Sequence, residues 1–167
     1  MKIYCKERIT LLMAMLFAFS AIAIASPVRE NVWTQLDKDQ LRLEGIERTN
    51  IPTAFETFRL DKAALEAILS TAPAEFTDAP EVILSLPMPD GSFQRFSIYH
   101  SLVVEQGLVD KYPTLGQTYI GQGIDDPTAT VRFDFLSSGF HGMILSIGGT
   151  VMIDPYAEGD TETYISY

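Results

Sequence analysis

The sequence predicts an α+β domain, with a mainly antiparallel sheet of about six to seven strands and one principal helix packed on it. Two hydrophobic patterns support this prediction. One short segment repeats its apolar residues at helical spacing, whereas most of the chain after residue 80 alternates apolar and polar residues with the period of two that strands require. Turn sequences rich in Gly, Pro, Asp and Ser separate the alternating segments by a few residues, which is typical of antiparallel neighbours.

The helix is predicted to begin after Asp61, because an aspartate carboxylate can accept hydrogen bonds from the free amides of a first turn. Its apolar residues share one helical face: Ala64, Leu65, Ile68, Leu69 and Ala72. Pro73 ends the pattern. A helix of about 11 residues is marginal in isolation, so this apolar face must pack on the sheet.

The first part of the predicted sheet is a hairpin. Residues 82–88 and 96–102 alternate, and Pro89-Asp90-Gly91 between them has the residues of a tight turn. A short segment at 104–111, followed by Pro113, is compatible with a helix.

The second part is a predicted meander. Extended character resumes at 117–120 and turns at Asp125-Asp126-Pro127-Thr128. Three strands then follow at 131–135, 140–145 and 151–153, joined by turns at 137–139 and 148–149, and residues 161–167 are a candidate further strand.

The N-terminus has the pattern of a signal peptide. Lys2, Lys6 and Arg8 precede an apolar stretch that ends in Ala23-Ile24-Ala25, which predicts cleavage between Ala25 and Ser26. The stretch is short for a membrane span of about 30 Å, so cleavage is favoured over a retained anchor. The expected organisation is a signal peptide at 1–25, a polar lead-in segment at 26–51 and a β-rich domain at 52–167. We expect the processed protein to be secreted to the periplasm or outside the cell, without stable membrane anchoring.

Charge and cysteine content narrow the function classes. The chain has 12 Lys and Arg against 22 Asp and Glu. The signal peptide contains three of these cations and one of these anions, which leaves 9 against 21, a net charge of -12. A surface with this charge repels phosphates and disfavours a nucleic-acid partner. The only cysteine, Cys5, lies in the signal peptide, so the processed chain has no thiolate chemistry.

Candidate catalytic and metal-ligating residues are few. His100 and His141 are the only imidazoles, and they have no HExxH spacing; each lies in a strand-like run, which favours structural histidines. Asp125, Asp126 and Asp154 are compatible with calcium binding or with an acid and base pair, but carboxylates in tight turns explain them more simply. We therefore predict no catalytic residue and no metal site in this chain.

Alternating phenylalanines are more typical of a core than of a carbohydrate-stacking surface, although Tyr99 is also compatible with an exposed ring. Trp33, in the lead-in segment, is compatible either with docking on the domain or with a mobile arm.

Several segments resemble the N-terminal pro-region of bacterial secreted zinc metalloproteases of the reprolysin type. The likeness covers Pro52 to Tyr167, and its most specific part is Gly123-Ile124-Asp125-Asp126-Pro127-Thr128-Ala129-Thr130. Its other segments are Phe58-Arg59-Leu60-Asp61, Ala72-Pro73-Ala74-Glu75, Leu86-Pro87-Met88-Pro89-Asp90-Gly91-Ser92-Phe93, Tyr119 to Asp134, Gly139-Phe140-His141 and Met152-Ile153-Asp154-Pro155-Tyr156. The motif residues with an expected structural role are Asp61, Asp90, Gly91, Gly123, Asp125, Asp126, Pro127, Thr128, Asp154 and Pro155.

The resemblance implies a non-catalytic pro-region that assists latency or folding of a zinc metalloprotease domain, in cis or in trans. It implies zinc only in that protease domain and no cofactor in this chain, which contains no HExxHxxGxxH motif. Without a cysteine in the processed chain, such a pro-region has to fill the open zinc position with a carboxylate or a histidine, or merely cover it. Two alternatives to the pro-region stay open. The first is a free-standing secreted binding module for a carbohydrate or protein, and the second, ranked below it, is a hydrolase. An open reading frame that continues into a zinc-motif domain would favour the pro-region.

Overall fold

The computed structural model describes residues 31–37, 52–101, 106–112 and 117–167. Within these residues the protein is mainly β: nine strands form one antiparallel sheet that curls into a half-barrel, accompanied by two short helices. In chain order the elements are β1 (Trp33–Leu36), β2 (Glu56–Leu60), α1 (Lys62–Leu69), β3 (Val82–Pro87), β4 (Phe93–His100), α2 (Gln106–Lys111), β5 (Thr118–Gly123), β6 (Thr130–Leu136), β7 (Gly139–Ser146), β8 (Gly149–Pro155) and β9 (Thr163–Ser166).

The prediction of an α+β domain with six to seven strands is wrong, because the sheet has nine strands and dominates the fold. The two additional strands are β1, which falls in the predicted lead-in segment, and β2. Each has only four or five residues, too few to show a period of two against its surroundings. The strand order is β1-β2-β9-β8-β7-β6-β5-β4-β3, so β9 joins the β1–β2 hairpin to the rest of the sheet.

One hydrophobic cluster covers one face of the sheet, the face on which the buried residues of each strand alternate with more exposed ones. Phe58, Phe96, Phe140 and Tyr164 are fully buried in it. Trp33 is docked on the domain: its side chain is buried, and its ring makes edge-on contacts with Phe140 and Tyr164 at centroid distances of 5.2 and 5.4 Å. Of the alternating phenylalanines, Phe96, Phe133 and Phe140 are core residues, as their spacing predicts, and the partly buried Phe93 and Phe135 pack against the core.

Helix α1 packs on this cluster through Leu65, Ile68 and Leu69. The side chain of Asp61 caps its N-terminus by accepting a hydrogen bond from the Ala64 amide at 3.1 Å. The helix ends at Leu69, three residues before the predicted end, and the chain after it pairs with the last residue of β4.

The two edges of the sheet approach each other at one end of the half-barrel. Strands β1 and β3 are in contact there, and the Phe58 and Phe93 rings on β2 and β4 meet edge-on at 5.7 Å. The buried Ser166 hydroxyl on β9 donates a hydrogen bond to the Pro87 carbonyl on β3 at 2.9 Å. The curled sheet is thus held across its opening as well as along its strands.

Candidate functional site

Three titratable side chains lie side by side on the face of the sheet opposite the core. Asp134 on β6 is the register partner of His141 on β7. Gly142 pairs with Ile153, which places Asp154 of β8 next to His141. We refer to Asp134, His141, Asp154 and the adjoining Tyr167 as the His141 cluster.

A hydrogen-bond chain fixes the imidazole in this cluster. His141 Nδ1 lies 3.0 Å from Asp154 Oδ1, and the Tyr167 hydroxyl donates to Asp154 Oδ2 at 2.8 Å. Because a carboxylate accepts hydrogen bonds, this contact places a hydrogen on Nδ1 and leaves the lone pair of a neutral imidazole on Nε2. The His141 side chain is 42% exposed, against 22% for Asp154, so the ring is accessible while its anchor is more protected.

Asp134 is the member of the cluster whose ionised form is disfavoured by its surroundings. Burial raises the pKa of its carboxyl, and the negative charge of Asp154 raises it further, whereas the neighbouring His141 lowers it. Its Oδ1 atom is buried and has no hydrogen-bond partner among the described residues. Asp134 therefore favours the protonated form more than an aspartate in water does.

Two shallow depressions flank the imidazole. One, of about 460 Å³, contains all three titratable residues and is also lined by Ser101, Thr118, Arg132 and Met143. The other, of about 450 Å³, is bordered by the loop after β8, including Glu158. His141 and Asp154 border both depressions.

The chemistry available at the cluster is that of one oriented imidazole beside carboxylates. Such a group can accept a proton or supply one ligand to a metal ion. Among the described residues, no group of three or more His, Cys, Asp or Glu side chains is placed to hold a metal ion. The cluster therefore presents one oriented nitrogen donor, Nε2 of His141.

The second histidine lies on the other face of the sheet. His100 is the register partner of Tyr119, and the two rings meet edge-on at 5.5 Å. Its backbone amide donates to the Pro73 carbonyl at 2.7 Å, and its carbonyl accepts from Glu75 at 3.1 Å. The structure therefore does not bring the two imidazoles together.

Asp125 and Asp126 organise the turn between β5 and β6. Arg95 forms an ion pair with Asp125, Nη2 to Oδ1 at 2.6 Å, and also donates its backbone amide to Oδ2 at 2.8 Å. Asp126 Oδ1 accepts from the amide and hydroxyl of Thr128 at 2.9 and 2.7 Å. The bonds from Arg95 lower the pKa of Asp125, and those from Thr128 lower the pKa of Asp126. Both carboxylates are committed to protein donors.

The remaining motif residues occupy caps and turns. Asp61 caps α1, and Asp90 accepts from the amide and hydroxyl of Ser92, which lowers the pKa of Asp90. Gly91 has a φ of 83°, and a side chain on Gly123 would lie 2.2 Å from the Asp126 carbonyl oxygen. Pro127 lies in the β5–β6 turn and Pro155 ends β8. The predicted cleavage site at Ala25 and Ser26 lies outside the described residues.

Sequence reasoning missed the assembly of Asp134, Asp154 and Tyr167 around His141. The positions of the two turns contain the information from which this assembly can be predicted. With Leu136 opposite Gly139 and Ser146 opposite Gly149, counting back along each antiparallel pair places Asp134 and Asp154 on either side of His141.

Comparisons with protein-family models, with curated proteins and with solved structures give no match. In the part of the chain that the structure describes, neither helix is long and apolar enough to traverse a bilayer.

Proposed function

We propose that this chain is a non-catalytic pro-region that binds a secreted zinc metalloprotease domain and assists its latency or folding. The proposal starts from the resemblance of residues 52–167 to reprolysin-type pro-regions. One structural observation supports it: segments that carry the resemblance lie on adjacent strands β5 to β8, and the face of these strands opposite the core bears the His141 cluster.

The geometry is suited to this role. Asp125 and Asp126 fix the β5–β6 turn, so the most specific motif stabilises the sheet that presents the cluster. A protease cleft binds its substrates as extended chains, and a β-rich neighbour can occupy such a cleft along with the groups it presents.

Covalent linkage makes modest affinity sufficient. In cis, a short tether gives an effective concentration of about millimolar, so an intrinsic Kd of about 1 μM leaves the protease almost fully occupied. Cutting the link removes this advantage, because the released pro-region then dissociates at ordinary concentrations.

The test is inhibition in trans. The processed chain, residues 26–167, is titrated into a purified reprolysin-type zinc protease that cleaves a fluorogenic peptide, with direct binding measured by calorimetry. We expect saturable binding and inhibition or, for a folding role, faster recovery of activity from denatured protease. Absence of binding at tens of micromolar together with no effect on refolding would contradict the proposal.

A second candidate, a free-standing carbohydrate-binding module, is favoured by one observation. Phe76 is fully exposed with a φ of 63°, a conformation that bulky residues rarely adopt. It borders a depression of about 350 Å³ that Tyr99 and Ile120 also line. This candidate predicts binding of cello- or chito-oligosaccharides that Phe76→Ala abolishes, and an NMR titration that shows no shift up to millimolar sugar would eliminate it.

A further inference from the structure

We propose that His141 is the group that this chain inserts into the open coordination position of its partner's catalytic zinc. This inference rests on the proposed pro-region function. It goes beyond that function because it assigns the blocking contact to one residue and one atom, Nε2 of the imidazole.

The first support is the orientation of the ring. Asp154 engages Nδ1 at 3.0 Å, which leaves Nε2 as the nitrogen able to donate a lone pair. Protein imidazoles that ligate zinc commonly have this arrangement, with a carboxylate or carbonyl on the other ring nitrogen. The ring is 42% exposed, so a partner can reach it.

The second support is preorganisation. His141 lies within an eight-residue strand that is hydrogen-bonded to β6 on one side and β8 on the other. The Tyr167 hydroxyl holds the second oxygen of Asp154 at 2.8 Å. A ligand whose orientation is fixed before binding loses little conformational freedom on coordination, which favours affinity.

The third support is stoichiometric. A catalytic zinc site has three protein ligands and one open position, so a blocking group needs a single donor atom. The described residues of this chain provide single donors but no three-donor group. Asp134 is less suited to be that donor, because its Oδ1 is buried. Glu158 is the control residue for the experiments below. It is an exposed carboxylate and lines the depression of about 450 Å³ that His141 also borders.

The first experiment measures ligand competence without any protease. The wild-type chain is titrated with copper(II) iminodiacetate, a bound metal with open coordination positions, while NMR follows the two histidine rings. We expect the paramagnetic ion to broaden the His141 ring signals at concentrations at least tenfold below those that affect His100. Equal broadening of both rings, or none at His141, would overturn the inference.

The second experiment measures the contact in the complex. The wild-type chain, His141→Gln, Asp154→Asn and Glu158→Gln are compared as inhibitors of the reprolysin-type protease, after circular dichroism confirms that each is folded. We expect His141→Gln to weaken inhibition at least tenfold, Asp154→Asn to weaken it less, and Glu158→Gln to leave it unchanged.

The two proposals fail in distinguishable ways. If the wild-type chain binds and inhibits but His141→Gln is equally effective, the pro-region function stands and the assignment of His141 is wrong. If the wild-type chain neither binds nor affects refolding, both are wrong, whatever the copper titration shows.

Discussion

Asp134 is the residue whose environment opposes its charge most clearly. Its carboxyl is partly buried, close to a second carboxylate, and one of its oxygens has no partner among the described residues. In the folded state its pKa lies above the ordinary aspartate value of 3.8, because the carboxyl is partly buried. The folded protein therefore binds the Asp134 proton more tightly than the unfolded chain does.

This difference fixes the sign of a pH effect. The contribution of Asp134 to stability is fully present below the unfolded pKa of 3.8 and is lost as pH rises through the raised folded pKa. We expect Asp134→Asn, which removes the charge but keeps the shape, to be more stable than wild type at about pH 7 and to lose that advantage below about pH 4, where the carboxyl is protonated in the unfolded chain as well. Urea unfolding at the two pH values measures both differences.

Asp125 supplies a control of opposite sign. Its pKa is lowered by Arg95, so its contribution is present above the unfolded pKa of 3.8 and is lost as pH falls through the lower folded pKa. Asp125→Asn should therefore destabilise the protein at about pH 7 and approach wild type in acid. An Asp134→Asn effect that is the same at both pH values would contradict the assignment of a raised pKa.

At the scale of elements, helix α1 depends on its cap. Its eight residues are too few for a stable isolated helix, and it has no acidic residue in its first turn. We expect Asp61→Ala to lower the free energy of unfolding by about 1 kcal/mol, because the Ala64 amide loses its acceptor. Asp61→Asn retains a capping oxygen and should lower the free energy of unfolding much less. Chemical denaturation compares the two variants, and equal losses of stability would show that the cap is not the cause.

The β5–β6 hairpin depends on the absence of a side chain at Gly123. A Cβ atom there would lie 2.2 Å from the Asp126 carbonyl oxygen, which belongs to the backbone of the turn. We expect Gly123→Ala to cost about 2 to 3 kcal/mol, since the turn has to shift. Thermal unfolding measures the loss.

Gly107 in α2 is the matched control for that substitution. Outside its own helix backbone and its two chain neighbours, a Cβ atom at Gly107 has no neighbour within 4 Å among the described residues. Alanine is also the better helix former by about 1 kcal/mol. Gly107→Ala should therefore leave stability unchanged or raise it. Equal destabilisation by both alanine substitutions would rule out steric contact as the reason.

At the scale of the whole molecule, one buried contact ties β9 to β3 across the curl of the sheet. We expect Ser166→Ala to cost about 1 to 2 kcal/mol, because the Pro87 carbonyl loses its donor in a buried position. Unfolding should remain one cooperative transition, since a single core unites the sheet. The control is Ser137→Ala in the exposed β6–β7 turn, which should change stability by less than about 0.5 kcal/mol. Calorimetry measures the stability of the two variants, and an equal loss in both would argue against the cross-sheet contact.

The sequence predicted the elements whose pattern is local. The stripe of Leu65, Ile68 and Leu69 located α1, and alternation located β3, β4 and the β6–β8 meander. It could not locate β1 and β2, because their formation depends on partners far along the chain: Trp33 pairs with Leu60, and β2 pairs with β9. These distant pairings turned the expected α+β domain into a nine-stranded sheet.

The candidate site shows the same division between local and distant information. Asp125 and Asp126 lie in the turn that their neighbours predict, because turn chemistry involves residues two or three apart. The His141 cluster depends on register across three strands, and the buried oxygen of Asp134 depends on how the sheet is covered. The register of neighbouring strands can be predicted by counting residues from the turn that joins them, whereas the burial of a side chain can be known only from the complete fold.

The position of β9 has a consequence for the order in which the protein assembles. From β3 to β8, each strand pairs with its successor, so this part of the sheet can grow as the polypeptide is delivered. Among the described strands, β1 and β2 join the backbone hydrogen bonding of the sheet through β9, about a hundred positions later in the chain. We therefore expect the earliest strands to be incorporated last, because a long loop has to close before they can dock on β9.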